Sequence, residues 1–176
     1  GAKEIYSYDE AGNLTGVEDA KGNRVGYAYD ADNNLTKVTS PLGAVATYAY
    51  DGVGRLNAAT DADGGTTTYA RDASGNITSI TDAAGQETAY TYDAEGNVTS
   101  ATSASGATEA FAYDMRGYLT TLTSPSGATT RYDYDELGQL LSKAYASSSE
   151  DTATYTYDAD GQVASRTDAC GTAVYA

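Results

Sequence analysis

Large and small residues alternate along this chain in short runs, and the alternation restarts on a fixed schedule. In Thr88-Ala89-Tyr90-Thr91-Tyr92 the rings fall on every second residue, which puts Tyr90 and Tyr92 on one face of an extended strand. The residue between the rings is small in most copies (Ser7, Ala28, Ala49, Ala70, Thr91, Ala112), so the opposite face is thin. A Thr-rich, β-branched run follows, as in Asn97-Val98-Thr99-Ser100-Ala101-Thr102, again with strand composition. No segment keeps a helical period. Asp or Ser, two residues and Gly separate the runs, which is the preference of a type I turn closed by a left-handed residue, a common hairpin loop. Two such turns per period leave stretches of about 6 residues, an ordinary strand length. The pattern predicts an all-β fold, an up-and-down array of about 16 antiparallel strands. One feature conflicts with regular alternation. The second strand carries aliphatics at the fifth and eighth positions after the turn Asp, as in Leu14 with Val17, and these face opposite ways unless a bulge intervenes or both faces are partly buried.

The schedule is a tandem repeat. Asp9, Asp30, Asp51, Asp72, Asp93, Asp114 and Asp135 stand 21 residues apart, and Asp158 follows after 23. The units run 1–21, 22–42, 43–63, 64–84, 85–105, 106–126, 127–149 and 150–170, with a ninth beginning at 171. The longer unit places its extra residues in Ala144–Asp151, around Ser147-Ser148-Ser149, as a lengthened hairpin tip. An array that starts in register, stops early in a unit and lacks an initiator Met is expected to be a segment of something longer.

Each unit has the same columns. Three before the Asp stands an aromatic: Tyr6, Tyr27, Tyr48, Tyr69, Tyr90, Phe111, Tyr132 or Tyr155. One before it stands Tyr8, Tyr29, Tyr50, Tyr92, Tyr113, Tyr134 or Tyr157, with Arg71 in the fourth unit. Three after it stands Gly12, Gly54, Gly75, Gly96, Gly117, Gly138 or Gly161, with Asn33, which tolerates the left-handed region, as the exception. An aliphatic follows: Leu14, Leu35, Leu56, Ile77, Val98, Leu119, Leu140 or Val163.

Composition sharpens this picture. Leu, Ile, Val and Phe number 21 of 176 residues beside a net charge of -15, too little apolar area for an ordinary core. The 17 tyrosines are the counterweight, so a fold here is built on tyrosine. The acidic balance disfavours nucleic acid. No apolar run has the length of a bilayer-spanning helix. With no histidine, Ser-His-Asp and Cys-His catalysis and imidazole ligation are excluded, and Cys170, the single cysteine, forms no internal disulfide.

Tyr-x-Tyr-Asp-x-x-Gly-Asn-Leu-Thr, followed by a second Asp-x-x-Gly turn, resembles the YD repeat of Rhs proteins, teneurins and the shells of insecticidal toxin complexes, over essentially the whole chain. The resemblance implies β-hairpin repeats building a long sheet that spirals into a shell able to enclose a toxic domain. It also implies a role in extracellular contact and adhesion. The boundary motif, cargo segment and self-cleaving aspartates of Rhs proteins are not found in this stretch, so the resemblance points to a wall segment or free-standing array.

Asp30-Ala31-Asp32-Asn33-Asn34, Asp61-Ala62-Asp63 and Asp158-Ala159-Asp160 are oxygen-rich, but Pro41, Asp72 and Ala169 occupy the twelfth position where a calcium loop needs Glu. These aspartates read as turn formers, and no metal, cofactor or catalytic residue is expected. The tyrosine columns read as cross-strand ladders, with stacking of sugar rings as the rival. Arg71 and Tyr118 read as repeat drift and Cys170 as an incidental thiol. The expected function is structural: a wall, spacer or adhesive surface of a secreted bacterial protein. A carbohydrate-binding module and a toxin-enclosing wall are the alternatives. Expected partners are further repeats in cis, copies end to end, glycans or a toxin cargo. The array reads as an open curved sheet or a compact solenoid.

Overall fold

The computed structural model describes residues 3–146 and 152–175. The tip expected around Ser147-Ser148-Ser149 lies outside the described residues. The chain divides into two units, Gly1–Glu87 and Thr88–Ala176. The first carries β1 (Ile5–Tyr8), β2 (Leu14–Glu18), β3 (Arg24–Tyr29), β4 (Leu35–Thr39), β5 (Val45–Tyr50), β6 (Leu56–Thr60), β7 (Thr66–Arg71) and β8 (Ile77–Thr81). The second carries β9 (Glu87–Tyr92), β10 (Val98–Thr102), β11 (Thr108–Tyr113), β12 (Leu119–Thr123), β13 (Thr129–Tyr134), β14 (Leu140–Tyr145), β15 (Ala153–Tyr157), β16 (Val163–Asp168) and β17 (Gly171–Val174). The seventeenth strand exceeds the sequence expectation because Ala169-Cys170 make a tight two-residue turn at which Asp168 pairs with Gly171.

Within each unit every strand pairs antiparallel with its chain neighbours, β1 with β2 through β7 with β8, and β9 with β10 through β16 with β17. Consecutive hairpins therefore form a meander, and the parallel coil-on-coil pairing of a solenoid is absent among the described residues.

The register resolves the parity conflict. Ser7 pairs with Gly16 and Tyr8 with Leu14, so Thr15 is an extra residue on β2. The same bulge recurs opposite Tyr29, Tyr50, Tyr92, Tyr113, Tyr134 and Tyr157, and opposite Arg71. One extra residue inverts the alternation. Leu14 and Val17 thus share a face, with Leu14 opposite Tyr8 and Val17 opposite Tyr6. Most hairpins present two rings on this aromatic face, as with Phe111 against Leu122 and Tyr113 against Leu119, while β7 and β8 have Tyr69 against Ile80 and Arg71 against Ile77. The other face pairs small residues, such as Ala49 with Ala58 and Thr91 with Ser100.

Neither unit acquires a core in the ordinary sense. Ala153 is the single buried hydrophobic side chain among the described residues. Tyr90 and Tyr92 are half-buried and the Thr91 between them is exposed, so the rings carry covered area as one layer. Tyr6 and Tyr8, on the edge strand β1, are 51% and 62% exposed, because they have neighbours on one side only.

Candidate functional surface: the aromatic face and the hairpin rim

The rim of each hairpin is set by its Asp. The Asp9 amide donates to Asn13 O at 3.0 Å, the Gly12 amide donates to Asp9 O at 3.1 Å, and the Asn13 amide donates to Asp9 Oδ1 at 2.8 Å. Gly12 stands at φ 88° and Asn33, its counterpart in the next hairpin, at φ 64°, the left-handed values the turn requires. Hydrogen bonds to the ionised carboxylate lower its pKa. The backbone N–H four residues on is the main cause for Asp9 and Asp30, and the side-chain amide there for Asp19, Asp72 and Asp93. At Asp51 the Arg55 backbone N–H and then its guanidinium push the pKa down to about 2. The oxygen-rich loops are consumed in this way: Asp30 Oδ1 accepts from the amides of Asp32 and Asn34, and Asp61 Oδ1 from those of Asp63 and Gly65. Among the described residues no three acidic or Cys side chains gather around a common point.

The second tyrosine column does more than cover area. Tyr29 donates its hydroxyl to Leu14 O at 3.0 Å, Tyr50 to Leu35 O at 2.8 Å and Tyr157 to Leu140 O at 2.9 Å. Each carbonyl belongs to the preceding hairpin, beyond the last ladder pair between the two strands, as with Gly16 and Gly26 for β2 and β3. The phenol therefore clasps one hairpin to the next where backbone pairing has ended. Arg71 keeps this role. Its Nη2 approaches Leu56 O at 3.5 Å and its Nη1 donates to Gly75 O at 3.1 Å.

The residue after the turn Gly also reaches the neighbouring rim. Asn13 Nδ2 donates to Asn33 Oδ1 at 2.7 Å. Tyr118, where Asn is usual, lies against Gly138 and stacks on Tyr134 with centroids 5.1 Å apart. Arg116 covers the Tyr118 ring at 4.9 Å, pairs with Asp114 at 3.0 Å and donates to Asp135 O at 2.8 Å. Tyr118 and Arg116 thus lock two rims together. The same rim borders an open cleft of about 620 Å³ between Asp93, Glu95 and Met115. On the opposite face, hydroxyls pair across strands, as Thr60 with Thr66 at 2.9 Å and Thr156 with Ser165 at 2.7 Å.

The repeat columns of the sequence thus fall into three places: rings on the aromatic face, aspartates at the rim, and glycines at the left-handed turn positions. Sequence reasoning missed two residues. At the eighth position after Asp, where earlier units have Val17, Val38 or Ile80, the last two have Lys143 and Arg166, opposite Tyr132 and Tyr155. Lys143 Nζ lies 5.8 Å from the Tyr132 ring and 4.9 Å from the Tyr145 ring, and Arg166 pairs with Asp168 at 2.7 Å. The Tyr145 hydroxyl holds the Lys143 ammonium pKa up, and the Tyr155 hydroxyl followed by Asp168 does the same for Arg166. The missing aliphatic was the available signal.

A family model for the teneurin YD-shell matches residues 43–175, and one for the RHS repeat matches residues 8–45. The chain belongs to the teneurin YD-shell family. This YD-shell segment is a structural repeat segment built of consecutive hairpins. The crystal structure of TcdB2-TccC3-Cdc42 superposes with a TM-score of 0.70 at 19% identity, over 89% of this chain and 10% of that one. The Photorhabdus luminescens Tc holotoxin pore gives 0.66 at 16% identity, over 93% and 12%. TcdB2-TccC3 without its hypervariable C-terminal region gives 0.63 at 18%, over 98% and 12%. The YD-shell segment therefore spans about a tenth of the chains it resembles. No curated protein is similar to it in sequence.

Proposed function

We propose that the chain is a stretch of wall in a secreted bacterial YD-repeat shell that encloses a toxic domain encoded outside residues 1–176. The observation that carries this reading is the pairing of extensive hairpin continuity with the near absence of buried side chains. Each unit is a single layer with chemically distinct faces, and among the described residues Ala153 alone is a buried hydrophobic. A partition has only to be continuous and to keep its two sides apart. The bulges and tyrosine clasps supply that continuity from hairpin to hairpin. Relatives in fold include assemblies of TcdB2 with TccC3, which supports a shell context.

The test is protease protection in the full-length gene product. Segments outside the repeat array should resist protease while the product is native and become cleavable when the shell is opened with denaturant. Equal cleavage before and after opening overturns the enclosing role.

A further inference from the structure

The aromatic face changes character in its last two hairpins. In earlier hairpins the residue opposite the first ring is apolar: Val17, Val38, Ala59, Ile80, Ala101 or Leu122. Opposite Tyr132 and Tyr155 it is Lys143 and Arg166. The surrounding rings remain accessible, with Tyr145 39% and Tyr175 53% exposed, and the Arg166 side chain is 45% exposed. Two cations with tyrosine neighbours thus stand on the open face of a chain whose net charge is -15, Arg166 sharing its guanidinium with Asp168 at 2.7 Å and Lys143 carrying no such pair among the described residues. Lys143 has no carboxylate in ion-pairing range among the described residues, and its ammonium rests on ring faces instead. Burial does not explain the substitution, because a Leu or Val there would complete the ladder as it does in the other hairpins.

From this geometry we infer that Lys143 and Arg166, with Tyr132, Tyr145, Tyr155 and Tyr175, form a binding site for a linear acidic polysaccharide of the polyuronate class. β14 and β16 are two strand spacings apart, roughly 10 Å. The cations are therefore two stations along a line, not one clamp. A chain carrying a carboxylate on successive rings meets both stations, and the second contact is made at high effective concentration. Each sugar ring offers an apolar C–H face to a tyrosine ring and hydroxyls to the phenol edges, while its carboxylate reaches the neighbouring cation. An acidic polypeptide would match the charge but offers no rigid ring face. This inference is independent of the wall reading, since a wall without these cations is still a wall.

The test is calorimetric titration of the chain with size-fractionated oligogalacturonate. Methyl-esterified oligogalacturonate and poly-L-glutamate serve as comparisons. The variants are Lys143→Leu with Arg166→Val, which restore the column's own aliphatics and so preserve the fold, and Lys37→Ala, which removes a cation from the opposite face. The expected result is oligogalacturonate binding that weakens with salt, falls at least about ten-fold in the double variant and is unchanged in Lys37→Ala. The esterified sugar should not bind. Binding that survives in the double variant, equal binding of the esterified sugar, equal or tighter binding of poly-L-glutamate, or no binding of oligogalacturonate overturns the inference.

Discussion

Arg71→Tyr should make the chain more stable. Arg71 sits in the column where the other hairpins have tyrosine, and its clasp is poor: Nη2 is 3.5 Å from Leu56 O, and Nε is buried without a hydrogen-bond partner. Tyrosines in equivalent places reach their carbonyls at 2.8–3.0 Å. The replacement gains a well-formed hydrogen bond, about 1 kcal/mol, and removes an unsatisfied buried donor that costs about 1–3 kcal/mol. It loses the Nη1 bond to Gly75 O, about 1.5–3 kcal/mol for a charged donor. It also spares part of the roughly 2 kcal/mol of rotamer entropy that an ordered arginine gives up. The balance is a gain of about 1 kcal/mol. Urea unfolding followed by far-UV circular dichroism reads this as a midpoint raised by roughly 0.3–1 M with the slope unchanged. Arg71→Ala is the reference and should lower the midpoint, since it removes the clasp altogether. An Arg71→Tyr midpoint below that of the wild type would refute the idea that the phenol and the guanidinium perform one task.

Tyr50→Phe deletes only the hydroxyl that bonds Leu35 O and should cost about 1 kcal/mol in the same unfolding assay; an unchanged midpoint would remove the clasp from the account. Gly138→Ala should cost clearly more than Gly12→Ala. Both sit at positive φ, but a Cβ at 138 collides with Tyr118 whereas the space at 12 is open, so the excess measures the rim contact. Deleting Thr15 should invert the alternation after Leu14 and turn Val17 to the small face, read as lost native hydrogen-exchange protection in β1 and β2. Asp9, Asp19, Asp30, Asp51, Asp72, Asp93 and Asp114 titrate lower when folded than when unfolded. Their stabilisation is therefore complete above the unfolded carboxylate pKa, about 3.9, and is lost as pH falls through the folded values, near 2 for Asp51. Thermal melts should drop across that acidic window, and Asp51→Asn should flatten its share of the fall.

The turns and columns were legible because their residues are scarce in kind and strict in spacing. Among the described turns only Gly, or Asn33 once, satisfies the left-handed position, and Asp or Ser satisfies the first. The bulge was legible only as a contradiction between Leu14 and Val17, because Thr15 differs in no way from the threonines of a regular strand. The tyrosine clasp was invisible, since its acceptor is a carbonyl of the preceding hairpin and carries no sequence mark. Arg71, read as repeat drift, makes the same cross-hairpin contact as the tyrosines. Tyr118, read in the same way, stacks across the rim because its ring spans to the next hairpin. Lys143 and Arg166 mark themselves only by breaking an aliphatic column, and a single cation in a half-exposed strand has no spacing or partner in sequence to set it apart. The shortage of aliphatics foretold a fold built on tyrosine, but not that the rings would be covered as one layer with almost nothing fully enclosed among the described residues.

Hairpins that are wall must border an enclosed volume. Electron cryo-microscopy of the full-length gene product reads it in one measurement. Residues 3–146 and 152–175 should form part of a single-layer sheet bordering an enclosed volume, with density for a further segment inside. An array projecting into solvent as a free stalk, or one with a second sheet packed along its aromatic face, would contradict it.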